Sequence, residues 1–94
     1  MSTTLKKFLI ERNVDLSGKS REELAAATQD SCSALREVGT DKVQWRESFV
    51  CKDKIYCVYM ATDAEAVRAH AAKAGIPADR VEEVAVVLDP TFSG

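Results

Sequence analysis

The run IYCVYMA, Ile55 to Ala61, carries no charged side chain. Extended as a strand, it points Ile55, Cys57 and Tyr59 to one side and Tyr56, Val58 and Met60 to the other. An antiparallel strand with one wet face alternates apolar with polar residues. This one does not, so whatever fold it joins must cover it on both sides. A second stretch, Val81 to Leu88, ends in the same way, with Val84, Ala85, Val86, Val87 and Leu88 all apolar.

The rest of the chain supplies the partners. Leu5 to Asn13 reads as a strand, with Phe8, Ile10 and Arg12 on one face and Lys7, Leu9, Glu11 and Asn13 on the other. Ser20 and Glu23 form a capping box that opens a helix running to about Val38, with Leu24, Thr28, Cys32, Leu35 and Val38 along one stripe and Gly39 at its C-terminal cap. Val43 to Cys51 alternates, placing Val43, Trp45, Glu47, Phe49 and Cys51 against Gln44, Arg46, Ser48 and Val50. The short break Lys52-Asp53 joins it to Lys54–Ala61 as a hairpin, in which a two-residue turn sets Ser48 opposite Cys57 and Arg46 opposite Tyr59. Thr62 and Glu65 form a second capping box for a helix carrying Val67, His70, Ala71 and Ala74 inward, stopped by Gly75 and Pro77. Val81 to Leu88 is the fourth strand, ended by Asp89-Pro90.

The order βαββαβ is the ferredoxin-like, α+β arrangement: a four-stranded antiparallel sheet with two helices on one face and the first and third strands central. The whole chain, 1–94, reads as one domain. Two helices cover one sheet face only. An apolar second face of this size does not stay in water. The simplest cover is a second copy related by a two-fold axis, so a homodimer formed through the face opposite the helices is expected, with Phe92 of the tail taking part.

Composition narrows the partners. With 13 basic and 15 acidic residues the net charge is −2, which excludes a strongly basic nucleic-acid footprint. No apolar run approaches the roughly 20 residues of a membrane span. Met1 to Ile10 shows no signal-peptide core, and the expectation is a cytoplasmic protein. Cys32, Cys51 and Cys57 are an odd set without CxxC spacing, expected reduced, unbridged and mostly buried. The paired carboxylates Glu22-Glu23 and Glu82-Glu83 read as helix N-terminal charge and solvated strand surface, and the isolated glycines form no phosphate-binding loop.

The segments KFLIER, EELAAATQDSC, VQWRESFV with DKIYCVY, and RAHAAKAGIPADRVEEVAVVLDPT together resemble a family of small proteins. It was first catalogued as a domain of unknown function, and its characterised bacterial member is a nickel-binding protein of ferredoxin-like fold. The last segment is the most specific, with its helical His, glycine stop, proline, valine-rich strand and terminal Asp-Pro-Thr; the resemblance spans about Lys7 to Thr91. It implies a homodimer and, for some members, divalent nickel at the dimer surface. The nickel-binding member has histidines near its first strand and around its second helix. Here the first strand offers Glu11, Arg12 and Asn13, and His70 is the one histidine. Nickel prefers imidazole, so a weak site using His70 is the expectation if the metal binds.

The candidate ligand-pocket residues are His70, Tyr59, Arg46, Ser48, Glu11 and Arg12. His70 sits on the inward side of its helix as a hydrogen-bonded side chain, a pocket residue or a metal ligand. Glu11 and Arg12 close a central strand and face opposite sides, so one of them can meet an opposite charge in a dimer cavity. Tyr59, Arg46 and Ser48 mix an aromatic ring, a cation and a hydroxyl on one hairpin face, which is unusual for a pure core. Two functions are compatible with these residues. One is a non-enzymatic homodimer that binds a divalent metal or small ligand. The other is an enzyme or carrier of the dimeric α+β barrel type, with a small organic molecule held between the two sheets; that reading rests on fold analogy.

Overall fold

The computed structural model describes residues 4–93. Strand β1 spans Lys6–Arg12, helix α1 Arg21–Val38, β2 Val43–Val50, β3 Ile55–Ala61, helix α2 Ala64–Ala74 and β4 Arg80–Glu83, followed by a 3-10 turn at Pro90–Ser93. The strands form one sheet in the order β2-β3-β1-β4, antiparallel at every pairing, with the first and third strands central. This is the ferredoxin-like βαββαβ fold.

Burial along β3 alternates without exception: Ile55, Cys57, Tyr59 and Ala61 are buried, and Tyr56, Val58 and Met60 are half-buried. The buried set joins Phe8, Ile10 and Val43 of the neighbouring strands and Leu35, Ala66 and Val67 of the helices in one core. Helices therefore cover one face. The other face carries Leu9 and Phe49, the latter 50% exposed, beside the half-buried β3 residues.

The helix ends follow local chemistry. Ser20 caps α1 with the reciprocal capping box to Glu23: the Glu23 N–H donates to Ser20 Oγ at 3.1 Å, and the Ser20 N–H donates to Glu23 Oε1 at 3.2 Å. At α2 the cap is Asp63, whose Oδ1 accepts the Ala66 N–H at 2.8 Å, and not the expected Thr62. The Thr62 N–H is already committed to Lys42 O at 2.9 Å, which keeps that residue with the hairpin and moves the helix start by one position. Gly75 ends α2 in the left-handed region at φ 70°, ψ 31°. Gly39 follows α1 at φ 111°, ψ 126°, a positive-φ exit outside the left-handed helical region expected of a cap.

Two features depart from strict alternation. A β-bulge lies between Trp45 and Glu47, so Arg46 is the extra residue and Tyr59 pairs with Trp45, not with Arg46. Beyond the bulge the faces exchange. Ser48 and Val50 pair with Cys57 and Ile55, and Trp45 shares their helix-facing side instead of siding with Glu47 and Phe49. The second departure is β4, which stops at Glu83 instead of Leu88. Its ladder to β1 ends with Phe8 opposite Glu83 and one further bond, the Val84 N–H to Lys7 O at 2.8 Å. β1 itself runs on to Lys6, still paired with β3, but the chain after Val84 leaves its edge, with Val86, Val87 and Leu88 exposed. Cys51, expected in a shielded strand position, is exposed beside the hairpin turn, whereas Cys57 is buried and Cys32 half-buried; all three are free thiols. Among the described residues, no helix is long and apolar enough to cross a membrane.

Candidate functional site

Helix α1 docks by its second half. Ala34 and Leu35 are buried and Ser31 and Cys32 half-buried, whereas in the first half Leu24 alone is drawn in and residues 25–30 are exposed. The segment AAATQD that follows Leu24 has no large apolar side chain to pull the helix onto the sheet. The helix therefore stands away from the strands at this end and leaves a cleft of about 400 Å³ beneath it. On the sheet side Arg12, Ser48, Cys57 and Tyr59 supply its polar surface, and on the helix side Thr28, Asp30 and Ser31; Leu16, Leu24, Trp45, Val50 and Ile76 supply much of its apolar surface.

Arg12 is the chemical centre of this cleft. It follows Phe8 and Ile10 in the alternation of β1 and so points under the helices, only 2% exposed. Its Nη1 donates to Pro77 O at 2.5 Å, its Nη2 to Tyr59 Oη at 3.2 Å and its Nε to Cys57 Sγ at 3.5 Å. The guanidinium carbon also lies 5.8 Å from the Tyr59 ring centroid. The ion pairs of the described residues join Lys19 to Glu23, Lys54 to Glu11 and Arg80 to Glu82, so Arg12 has no carboxylate partner among them. Ser48 Oγ donates to the same Cys57 sulfur at 2.9 Å and accepts from Trp45 Nε1 at 2.9 Å. Burial pushes the Tyr59 hydroxyl above the ordinary phenol range, opposed by the positive charge of Arg12.

His70 lies behind Tyr59, with the ring centroids 5.3 Å apart and tilted by 49°. It is fully buried, and its Nε2 sits 3.1 Å from Ser31 O and 3.2 Å from Ser31 Oγ. A carbonyl only accepts, so Nε2 carries the proton and donates it to Ser31 O. The Nδ1 atom is buried without a hydrogen-bond partner among the described residues. Burial lowers the imidazole pKa first of all; the bond to Ser31 O opposes this, and the charge of Arg12 adds to it. The ring is neutral at pH 7 and holds α2 against α1.

Of the residues singled out from the sequence, Arg12, Tyr59 and Ser48 meet in the cleft, with His70 adjoining them through Tyr59 and Ser31. Arg46 does not join them, because the bulge leaves it exposed. Glu11 is on the opposite sheet face, 3.6 Å from Lys54 Nζ. Sequence reasoning passed over Cys57, Pro77 O, Ser31 and Trp45 as parts of this site. The Ser48–Cys57 pairing was readable from the hairpin turn; the approach of Pro77 O, 65 positions along the chain from Arg12, had no local signal. No group of three or more His, Cys, Asp or Glu side chains that can hold a metal ion gathers among the described residues.

The lowered His70 pKa fixes a pH dependence. The unfolded chain protonates this imidazole more readily than the folded one, so the unfolded state binds more protons below the ordinary value of 6.5 and stability rises with pH there. The stabilisation from neutral His70 is complete above 6.5 and is lost as pH falls through the lower folded value. Urea unfolding at pH 7.5 and at about pH 5.5 is expected to give lower stability at the acidic value. His70→Gln, which keeps an N–H for Ser31 O, is expected to flatten that difference. Equal stability of the wild-type protein at both pH values would contradict the assignment.

The comparisons with known proteins agree with this architecture. The family model described as "Nickel responsive protein SCO4226-like" matches residues 8–84. No curated protein matches the chain at a significant level. The crystal structure of SCO4226 from Streptomyces coelicolor A3(2) is similar at 26% identity, covering 87% of this chain and 99% of that one, with a TM-score of 0.69. A REP-associated tyrosine transposase bound to a REP hairpin covers 99% of this chain and 62% of its own at 14% identity and a TM-score of 0.44, too distant a likeness to bear on fold or function. From the breadth of the family match and the SCO4226 likeness, the chain belongs to the SCO4226-like nickel responsive protein family.

Proposed function

We propose that this protein is a small homodimeric binding protein that holds an organic molecule in the cleft beneath α1 and binds nickel weakly. The observation that carries the reading is the cleft itself: about 400 Å³, largely apolar in its lining and floored by a buried cation with no carboxylate partner among the described residues. Natural ligand sites combine this kind of concavity with a few placed polar groups. The barrel-type alternative has less support, because Arg12, Ser48 and Tyr59 face the helices and not the space between two sheets.

The residues of one copy do not fit a nickel site. The chain's one imidazole is fully buried, with Nε2 committed to Ser31, and among the described residues no cluster of metal-ligating side chains surrounds its Nδ1. The exposed thiol of Cys51 is a soft donor, but a single ligand does not chelate.

The dimer rests on the uncovered sheet face, where Leu9, Phe49, Tyr56, Val58 and Met60 lie together, and on the exposed apolar tail. Free thiols and the modest acidic charge suit a reducing compartment, and the cytoplasm is the proposed location.

Three measurements test the reading. Light scattering at micromolar concentration is expected to give twice the 10.3 kDa chain mass, and Phe49→Asp, which places a charge on the bare sheet face, is expected to shift it toward monomer. A monomer mass for the wild-type protein would remove the dimer. Titration calorimetry of tag-free protein with nickel is expected to show weak binding; submicromolar affinity that His70→Ala abolishes would overturn the metal reading. The neutral fluorophore 1-aminoanthracene is expected to bind the wild-type protein and to bind poorly to Ala27→Phe, which adds a phenyl ring at the cleft. Absence of probe binding, or binding that survives Ala27→Phe, would remove the cleft as the ligand site.

A further inference from the structure

We infer that the ligand of the cleft is a small monocarboxylate with an apolar body, its carboxylate seated on Arg12; this rests on the reading that the cleft is a ligand site. Arginine stays charged under all conditions a protein meets. A buried charge without an opposite charge is strongly unfavourable, and buried charges are as a rule paired. Among the described residues Arg12 breaks that rule. Its partners are a backbone carbonyl, a phenol hydroxyl and a cysteine sulfur, and no carboxylate is among them. The opposite charge is therefore missing at a side chain that lines an open cleft.

The donors left over describe the head group. A guanidinium has five N–H donors. One is taken on Nε and one on each terminal nitrogen, which leaves one on Nη1 and one on Nη2. Two remaining donors match the two oxygens of a carboxylate, the group arginine recognises in bidentate fashion. The hydroxyls of Ser31, Ser48 and Tyr59 lie along the same surface as neutral companions.

The charge count limits the head to a single negative charge. Among the described residues Arg12 is the one basic side chain lining the cleft, so a phosphate dianion would carry a charge that none of them neutralises. The one acidic lining residue among those described, Asp30, is exposed on α1 and repels a second anionic group there. The body of the ligand meets Leu16, Leu24, Trp45, Val50 and Ile76, a lining that rewards burial of hydrocarbon or an aromatic ring.

Displacement of 1-aminoanthracene separates this inference from the reading beneath it. Octanoate and 3-phenylpropanoate are compared with 1-octanol and 3-phenyl-1-propanol, which match them in shape without the charge. At least one acid is expected to displace the probe from the wild-type protein at a concentration about tenfold below its alcohol. Arg12→Gln is expected to abolish that preference, and Arg12→Lys, which keeps a cation, to retain part of it. If Arg12→Gln fails to fold, the wild-type ratio and Arg12→Lys decide. Probe binding with acids no better than alcohols, or an acid preference unchanged in Arg12→Gln, overturns the carboxylate inference and leaves the cleft standing. No probe binding to the wild-type protein overturns both.

Discussion

The guanidinium of Arg12 is the interaction on which the helix side of this sheet depends. One planar group reaches β3 through Tyr59 and Cys57 and the segment after α2 through Pro77 O, while its own backbone belongs to β1. Removing a charged group from water costs several kcal/mol even after relaxation, on the order of the penalty known for buried ions. That cost is offset in part by the hydrogen bonds the guanidinium makes; the cleft lies directly beside the group, although the side chain itself is 2% exposed. The looseness of α1 over the cleft and the burial of Arg12 are thus two parts of one arrangement. A helix packed flush over this end of the sheet would seal the cation in with neutral partners alone.

Family membership is carried by the fold, and the side chains that would bind a ligand must be read from this chain itself. The match to the SCO4226-like nickel responsive proteins spans most of the sequence, and the fold follows it closely. Among the described residues of this chain no group of three or more metal-ligating side chains gathers. His70, the side chain that offers itself as a ligand on paper, works instead as a strut between the helices through Ser31 and packs against Tyr59. A fold carries its core from relative to relative, whereas function resides in the few side chains grafted onto it.

Much of this architecture was legible in the chain because it is written in local patterns. The βαββαβ order placed Ile55–Ala61 as a central strand, the Ser20–Glu23 pair marked the start of α1, and Gly75 with Pro77 the end of α2. His70 was correctly placed inward by helical spacing. The Arg46 bulge was not legible, because a single inserted residue leaves no mark on composition and yet reverses the facing of Ser48 and Val50 relative to Trp45. The shortening of β4 was also hidden: valine-rich sequence is strand-like, yet the chain leaves the edge of β1 after Glu83, two residues before β1 itself begins, and no local signal marks that departure. Of the site, Arg12, Ser48 and Tyr59 could be nominated one by one. Their convergence with Pro77 O depends on how the chain returns after α2, a tertiary fact.

The departure of the chain from the sheet at Val84 bears on how this protein avoids self-association of the wrong kind. Val84 to Leu88 is uncharged and rich in β-branched residues, and Leu88 is 73% exposed. Short segments of that composition stack into cross-β aggregates when they are free to do so. Here Glu82 and Glu83 stand immediately before the segment, and Asp89 and Pro90 immediately after it. Like charges at both ends repel neighbouring copies in register, and proline cannot continue a hydrogen-bonded ladder. The acidic pair and the Asp-Pro step therefore act as gatekeepers. They let the chain keep a sticky apolar arm outside its own sheet while making indefinite stacking of such arms unfavourable.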